Sequence, residues 1–345
     1  MKAAYFLNHG SLDNLQIGEV NELKFGPTEV LIKTQFASLN HLDLFVIEGW
    51  PGLHLKLPHV IGADGSGIVK EVGSEVSTVK IGDRVTINPG ISCGKCEMCL
   101  SGKQVLCKDF SIKGEHHWGT FAEFFKVPET NVIKVPTSFS LDKAAATPLT
   151  FLTAYRMLTT LGKVKPGDFI FIHGAGGGVS SAAIQIANLF GANVITTTST
   201  PEKIEKAKQI GADYVINYKE EKDYTKFIYK EITREQGVDL VIDNVGSATF
   251  NTSIRLLKPG GRLITCGATS GSQSNVNIAN IFWKHLKILG STMSNQLEFR
   301  TVMQLIFEGK LKPIIDKVFP FEKVMEAERY LSEAKQFGKV LLQIN

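Results

Sequence analysis

The sequence predicts an α/β protein with two domains, one compact and β-rich, the other built on a doubly wound parallel sheet. Three observations point there. Residues 1–130 are rich in Gly, Pro and short β-branched runs, as at 30–34, 67–73 and 84–87, and short strands bounded by such turn residues make a β-rich domain. From Lys165 the rhythm changes to apolar runs alternating with helical segments, the pattern of strands buried on both faces and joined by helices. A chain of 345 residues also exceeds what one core usually holds.

In the second domain, 168–173 is an apolar run predicted as the first strand, followed by a glycine-rich turn and an Ala/Ile-rich helix at 181–190. A strand at 193–198, a helix at 202–210 stopped by Gly211, and strands at 214–216, 238–242 and 262–266 continue the alternation. Beyond Gly290 come an amphipathic helix at 298–308 and a mixed tail. The tail is too short to fold alone and is expected to return to the first domain. The expected division is therefore 1–150 with 291–345, and 151–290.

Composition narrows the function. A hydrophobic fraction of 43% with 21% charged residues is that of a soluble globular protein. A net charge of +4 without a block of like charges gives no case for a nucleic-acid partner. The N-terminus lacks the apolar run of a signal peptide and no stretch of 18 apolar residues occurs, so no membrane partner and a cytoplasmic location are expected.

Cys93, Cys96, Cys99 and Cys107 form a C-x2-C-x2-C-x7-C cluster, and the fifth cysteine, Cys266, lies far away. Four thiolates suit a closed tetrahedral zinc site, so one structural Zn2+ per chain is expected. A ferredoxin-type iron–sulfur run has a shorter last gap and a following proline. Here Lys108 follows.

Gly174, Ala175, Gly176, Gly177, Gly178 and Val179 lie between a predicted strand and a predicted helix. Glycines there let backbone N–H groups and the helix N-terminus approach a pyrophosphate; a loop glycine-rich only for tight packing is the alternative. About 20 residues on, where NAD enzymes usually place an acid for the ribose, stand Thr197, Thr198, Ser199 and Thr200, with Lys203 beyond. Small hydroxyls and a lysine suit a 2′-phosphate, so NADP(H) is the expected cofactor. Tyr218 is placed to lie over the adenosine.

The order of these motifs, with Gly62-Ala63-Asp64-Gly65-Ser66-Gly67, Gly82-Asp83-Arg84-Val85, Gly119-Thr120-Phe121-Ala122-Glu123, Leu152-Thr153-Ala154-Tyr155, Asp243-Asn244-Val245-Gly246 and Gly260-Gly261-Arg262, resembles the medium-chain dehydrogenase/reductase superfamily over nearly the whole chain. That superfamily includes zinc alcohol dehydrogenases and quinone or enone reductases. The resemblance implies a GroES-like catalytic domain interrupted by a Rossmann domain, with the cofactor in the cleft between them. It also implies a homodimer or homotetramer joined through the Rossmann domain, and cofactor contacts from His41, Thr153, Asn244 and Gly267.

The departures from the family pattern are informative. The Cys, His and Cys that hold a catalytic zinc in the alcohol dehydrogenases match Asn40, Ala63 and Leu149, and the proton-relaying hydroxyl matches Leu42. None of these is a competent zinc ligand. The implied reaction is reduction, by NADPH hydride and without a catalytic metal, of the C=C bond of α,β-unsaturated carbonyls (enones, enals, enoyl-CoA) or of quinones. The small-molecule substrate develops negative charge on its carbonyl oxygen, for which the Asn40 amide is the expected donor, with Asp43 orienting it. Two alternatives stay open. One is an alcohol or sugar dehydrogenase with an atypical metal site drawn from His54, His59, Asp64, His116 and His117; the other is a non-catalytic NADPH-binding sensor.

Overall fold

The computed structural model describes residues 1–344, which form two compact units. The first comprises Met1–Leu149, Ser294–Gly309 and the chain from Pro313 onward; the second comprises Thr150–Met293 with Lys310–Lys312.

The first unit is built on the strand Glu29–Ser38, whose Val30, Ile32 and Thr34 are fully buried. This strand pairs antiparallel with Asp64–Val72, with Phe124–Pro128 and with the C-terminal strand Lys339–Gln343. Two apolar clusters fill the unit. Val30, Ile32, Val69, Val85, Ile87, Phe125 and Val127 pack on one side of the sheet. Phe6, Leu39, Val46, Ile47, Ile61 and Phe121 pack with Phe319, Val324, Leu331 and Leu342. Burial of each such side chain contributes about 1.5–3 kcal/mol. The second cluster therefore anchors the C-terminal helix Val324–Ser332 and the last strand to the start of the chain.

The second unit holds a six-stranded sheet, all parallel. Its spatial order is Tyr214–Asn217, Asn193–Thr198, Phe169–Ile172, Val238–Asp243, Leu257–Thr265 and Lys287–Gly290. In chain order this is 3-2-1-4-5-6, the order of the dinucleotide-binding sheet. The inner strands are buried on both faces, as at Ile170–Ile172 and Leu240–Ile242, which is why they read as unbroken apolar runs. Two features differ from expectation. The fifth strand starts at Leu257 because a register shift lets Leu257 pair with Val238 and Arg262 with Leu240. The edge strand Lys287–Gly290 is short and mostly exposed, and its two apolar residues, Ile288 and Leu289, are too few to mark a strand. No helix among the described residues is long and apolar enough to cross a membrane.

Candidate active site and cofactor cradle

In the second unit the order of strands reverses between Phe169–Ile172 and Val238–Asp243, and ligands of open α/β sheets bind at the strand ends of such a switch point. The glycine turn stands there. Gly174 adopts φ +63°, and a Cβ placed on it would meet nothing within 4 Å. Its N–H reaches Thr197 Oγ1 at 3.3 Å, and the Ala175 N–H donates to the Thr197 carbonyl at 2.9 Å. Gly177 caps the helix Gly178–Leu189, whose first-turn N–H groups, Gly178 and Val179 included, have no acceptor within the helix. Beneath the turn a buried polar chain sets its shape. His173 Nε2 lies 2.8 Å from Ser253 Oγ, which donates to Asp243 Oδ2 at 2.7 Å, while Asp243 Oδ1 accepts the N–H groups of Val245 and Gly246. Burial pushes His173 down to about 4, so it stays neutral at physiological pH.

The Asn244 side chain donates to Ser180 Oγ at 3.3 Å, and its buried Oδ1 has no partner. Gly267 lies against the Asn244 backbone, where a Cβ would come within 3.2 Å of the Asn244 carbonyl oxygen. Thr198 is buried at the tip of the second strand, and its carbonyl accepts the N–H of the half-exposed Tyr218. Thr200 caps the next helix by accepting the Lys203 N–H, with Ser199 between. An orphaned amide oxygen, open space over Gly174 and free helix N–H groups fit a dinucleotide. Thr153 is buried in the helix Pro148–Tyr155.

The four thiols of the cysteine loop lie within 4.8 Å of one another. Cys93 Sγ is 3.9 Å and Cys96 Sγ 3.5 Å from Cys99 Sγ, close to the edge of about 3.8 Å of a tetrahedron with ~2.3 Å Zn–S bonds. Backbone N–H groups of Lys95 and Cys96 hold the Cys93 thiol down to about 6. Donor type and spacing thus fit zinc, with all four positions taken by protein sulfur.

In the first unit a polar cluster is buried around Asn40. This residue precedes the helix His41–Glu48, and its N–H donates to Asp43 Oδ2 at 2.7 Å. Asp43 Oδ1 accepts the Gly62 N–H at 3.1 Å. Gly62 has φ +100°, and a Cβ there would lie 2.2 Å from the Phe121 ring, so only glycine brings that N–H to the carboxylate. The Asn40 amide donates to the Ser38 carbonyl at 3.2 Å and to Asp64 Oδ2 at 3.0 Å, and its oxygen accepts from Lys339 Nζ at 2.5 Å. Asp64 Oδ1 accepts the Leu149 N–H at 2.9 Å. Asn40 and Leu149 therefore both donate to one buried carboxylate, that of the residue following Ala63.

Both amide hydrogens of Asn40 are engaged in this arrangement, so donation to an incoming oxygen requires one of them to be exchanged. Lys339 also donates to the Leu39 carbonyl at 2.6 Å and stands 3.7 Å from Asp64 Oδ2. Burial pushes Asp43 up to about 7 against the pull of its backbone partner and of Lys339. Asp64 is raised by burial, and Lys339 is lowered by burial against the pull of Asp64. His41, in this unit, is lowered from the ordinary imidazole range by burial and then by Lys339.

Residues 26–137 match the family model of the alcohol dehydrogenase GroES-like domain and 178–308 that of the zinc-binding dehydrogenases. A solved NAD-dependent alcohol dehydrogenase shares 42% identity and a TM-score of 0.95, with 100% of each chain covered. An alcohol dehydrogenase of Schizosaccharomyces pombe is 31% identical over 99% of this chain and 97% of its own. An acryloyl-coenzyme A reductase of Sulfurisphaera tokodaii is 32% identical over 97% of this chain and 98% of its own.

The chain belongs to the medium-chain dehydrogenase/reductase superfamily. It is an NAD(P)(H)-dependent oxidoreductase, with a GroES-like domain and a Rossmann domain and a four-cysteine site of structural-zinc type. Among the described residues, the four cysteines are the only group of three or more His, Cys, Asp or Glu with ligand atoms in mutual reach. Three of the four histidines considered for a substitute site have other partners: His59 Nε2 lies 3.0 Å from the Gly114 carbonyl, His116 Nδ1 accepts the Ile112 N–H at 3.2 Å, and His117 Nε2 lies 2.9 Å from Ser111 Oγ.

Sequence reasoning missed Lys339 as a member of this oxidoreductase's polar cluster. It follows Gly338 in an apolar run, and a charged residue opening a buried strand was the available signal. Glu328, fully buried on the helix Val324–Ser332, gave no signal, because one acid on an amphipathic helix reads as its wet face.

Proposed function

We propose that this chain reduces the C=C bond of α,β-unsaturated carbonyls, enoyl thioesters among them, or quinones, with NADPH as hydride donor and no catalytic metal. The observation that carries this reading is the Asn40 cluster. Where the zinc alcohol dehydrogenases resemble this chain but hold metal, Asn40, Ala63 and Leu149 offer no ligand, and the Lys339 ammonium sits on Asn40 and beside Asp64. A second dication there would meet a buried like charge. The relative named acryloyl-coenzyme A reductase supports an enoyl thioester substrate.

The bound cofactor supplies the hydride. Asn40 is the proposed donor to the developing enolate oxygen, exchanging its longer bond to the Ser38 carbonyl, while Asp43 and Lys339 hold its backbone and its amide oxygen. Hydride from the cofactor would add at the β-carbon and a proton from water at the α-carbon, with the Asn40 amide holding the oxygen between the two events. Preference for NADPH is supported by Thr198, Ser199 and Lys203 standing where NAD enzymes carry an acid. A homo-oligomer is supported by the edge strand Lys287–Gly290 and the adjoining helix Ile278–Trp283, whose Ile278, Phe282 and Trp283 are exposed.

The relatives named alcohol dehydrogenases favour direct carbonyl reduction as the second reading. Incubation with NADPH and a small conjugated enal separates the two. The proposal expects the saturated aldehyde; an allylic alcohol would establish the second reading, and tight NADPH binding without turnover of any electrophile would point to a sensor.

A further inference from the structure

We propose that Glu328 is a positioning residue that carries a proton in the buried cluster, and that as an un-ionised acid it leaves the Lys339 ammonium to Asn40 and Asp64. Glu328 is 0% exposed, and neither of its carboxyl oxygens has a hydrogen-bond partner. A carboxylate buried without donors is among the costliest arrangements in a protein.

Its neighbours are better served. Asp43 accepts two backbone N–H groups, and Asp64 accepts the Leu149 N–H and the Asn40 amide with Lys339 beside it. Three carboxyl groups thus share one ammonium. Fully ionised, they would give three negative charges against one positive, a net of −2, in a low-dielectric interior. A proton settles on the acid with the least support, and that is Glu328. Burial, with Asp43 next, drives it well above the ordinary carboxylate range.

The other charges around this helix are engaged elsewhere. Arg329 pairs with Asp13, Tyr330 donates to Asp316, Lys317 lies over the Phe319 and Tyr330 rings, Glu322 pairs with Lys2, and Lys323 pairs with Glu326. Asp43, on the helix His41–Glu48, and Lys339, on the last strand, are the charges that act on Glu328 most strongly. An ionised Glu328 would compete for Lys339. Loss of Lys339 from the Asn40 oxygen would free the amide to rotate. The catalytic consequence rests on the proposed role of Asn40; the protonation state does not.

Full-length protein and its Glu328→Gln variant provide the test, with Glu328→Met in reserve should the buried amide prevent folding. At neutral pH, an infrared difference spectrum between wild type and variant should contain the carbonyl band of an un-ionised carboxylic acid. Unfolding measured across pH gives the second readout. The acid is raised in the folded state, so its stabilising contribution is complete below its unfolded value of about 4.3 and declines as pH rises toward the folded one. Relative to the variant, the wild-type unfolding constant should therefore grow about tenfold per pH unit over that window. The pH profile of kcat/KM then reports on Asn40: the alkaline limb should move in the variant. If the band and the stability slope behave as stated while the profile does not move, the proton is on Glu328 and the role given to Asn40 is wrong. An absent band with parallel stability curves would overturn the proposal.

Discussion

The cysteine loop and the Asn40 cluster are two polar knots in the same unit, and they handle positive charge in opposite ways. The loop gathers four soft donors within 15 residues of chain, leaves their sulfurs within 4.8 Å of one another and meets Cys93 with the backbone N–H groups of Lys95 and Cys96. It is complete only when a metal ion is added. The Asn40 cluster gathers hard oxygen donors from Asn40, Asp43 and Asp64 and closes them with Lys339, which arrives on the last strand. A covalently attached ammonium occupies the centre of that second knot. The two sites draw on separate residues, so one can change without the other.

The largest effect expected is at the first knot. Cys107→Ser should lower bound zinc from one per chain to near none by metal analysis. It should also cost the surrounding lobe several kcal/mol, toward the ~10 kcal/mol of small zinc-dependent folds, with turnover per folded molecule kept. A variant that held its zinc would erase the contrast between the knots. Next comes Lys339→Met, which strands the buried Asp64 carboxylate and the Asn40 amide oxygen. A loss of about 3–5 kcal/mol in urea unfolding is expected, and a cost under about 1 kcal/mol would show that the lysine is not the closing charge. The smallest effect lies at the cofactor end. Ser199→Glu should shift the ratio of kcat/KM for NADPH over NADH toward NADH by at least about tenfold, roughly 1.4 kcal/mol. A new carboxylate there repels a 2′-phosphate and binds a 2′-hydroxyl. An unchanged ratio would move the phosphate site away from Ser199.

The contrast also explains what the sequence disclosed. The cysteine knot is local, so its spacing carried its chemistry. The glycine turn was legible for the same reason: strand, glycines and helix are contiguous, and Gly174 and Gly177 stand where the pattern put them. The parallel sheet was visible through its doubly buried strands, while the exposed edge at Lys287–Gly290 was silent. Asn40 and Asp43 could be singled out because both match positions of the family pattern that the chain resembles. Their partners could not. Lys339 is 299 residues from Asn40, and only the antiparallel pairing of Leu341 with Ser38 brings them together. Glu328 was hidden for the opposite reason, since its helix is amphipathic and only tertiary packing buries it. Nor could a motif show that both amide hydrogens of Asn40 are already engaged.

In the proposed reaction Lys339 and Asn40 stand where a hydride-accepting carbonyl would otherwise need a metal, so that hydride goes to carbon conjugated with the carbonyl. Turnover of a conjugated enal or enoyl thioester with NADPH deuterated at nicotinamide C4 reads this directly. The account predicts deuterium at the β-carbon, an unlabelled carbonyl carbon, and the same rate for protein carrying one zinc per chain. Deuterium on the carbonyl carbon, with a rate that rises with a second equivalent of zinc, would contradict it.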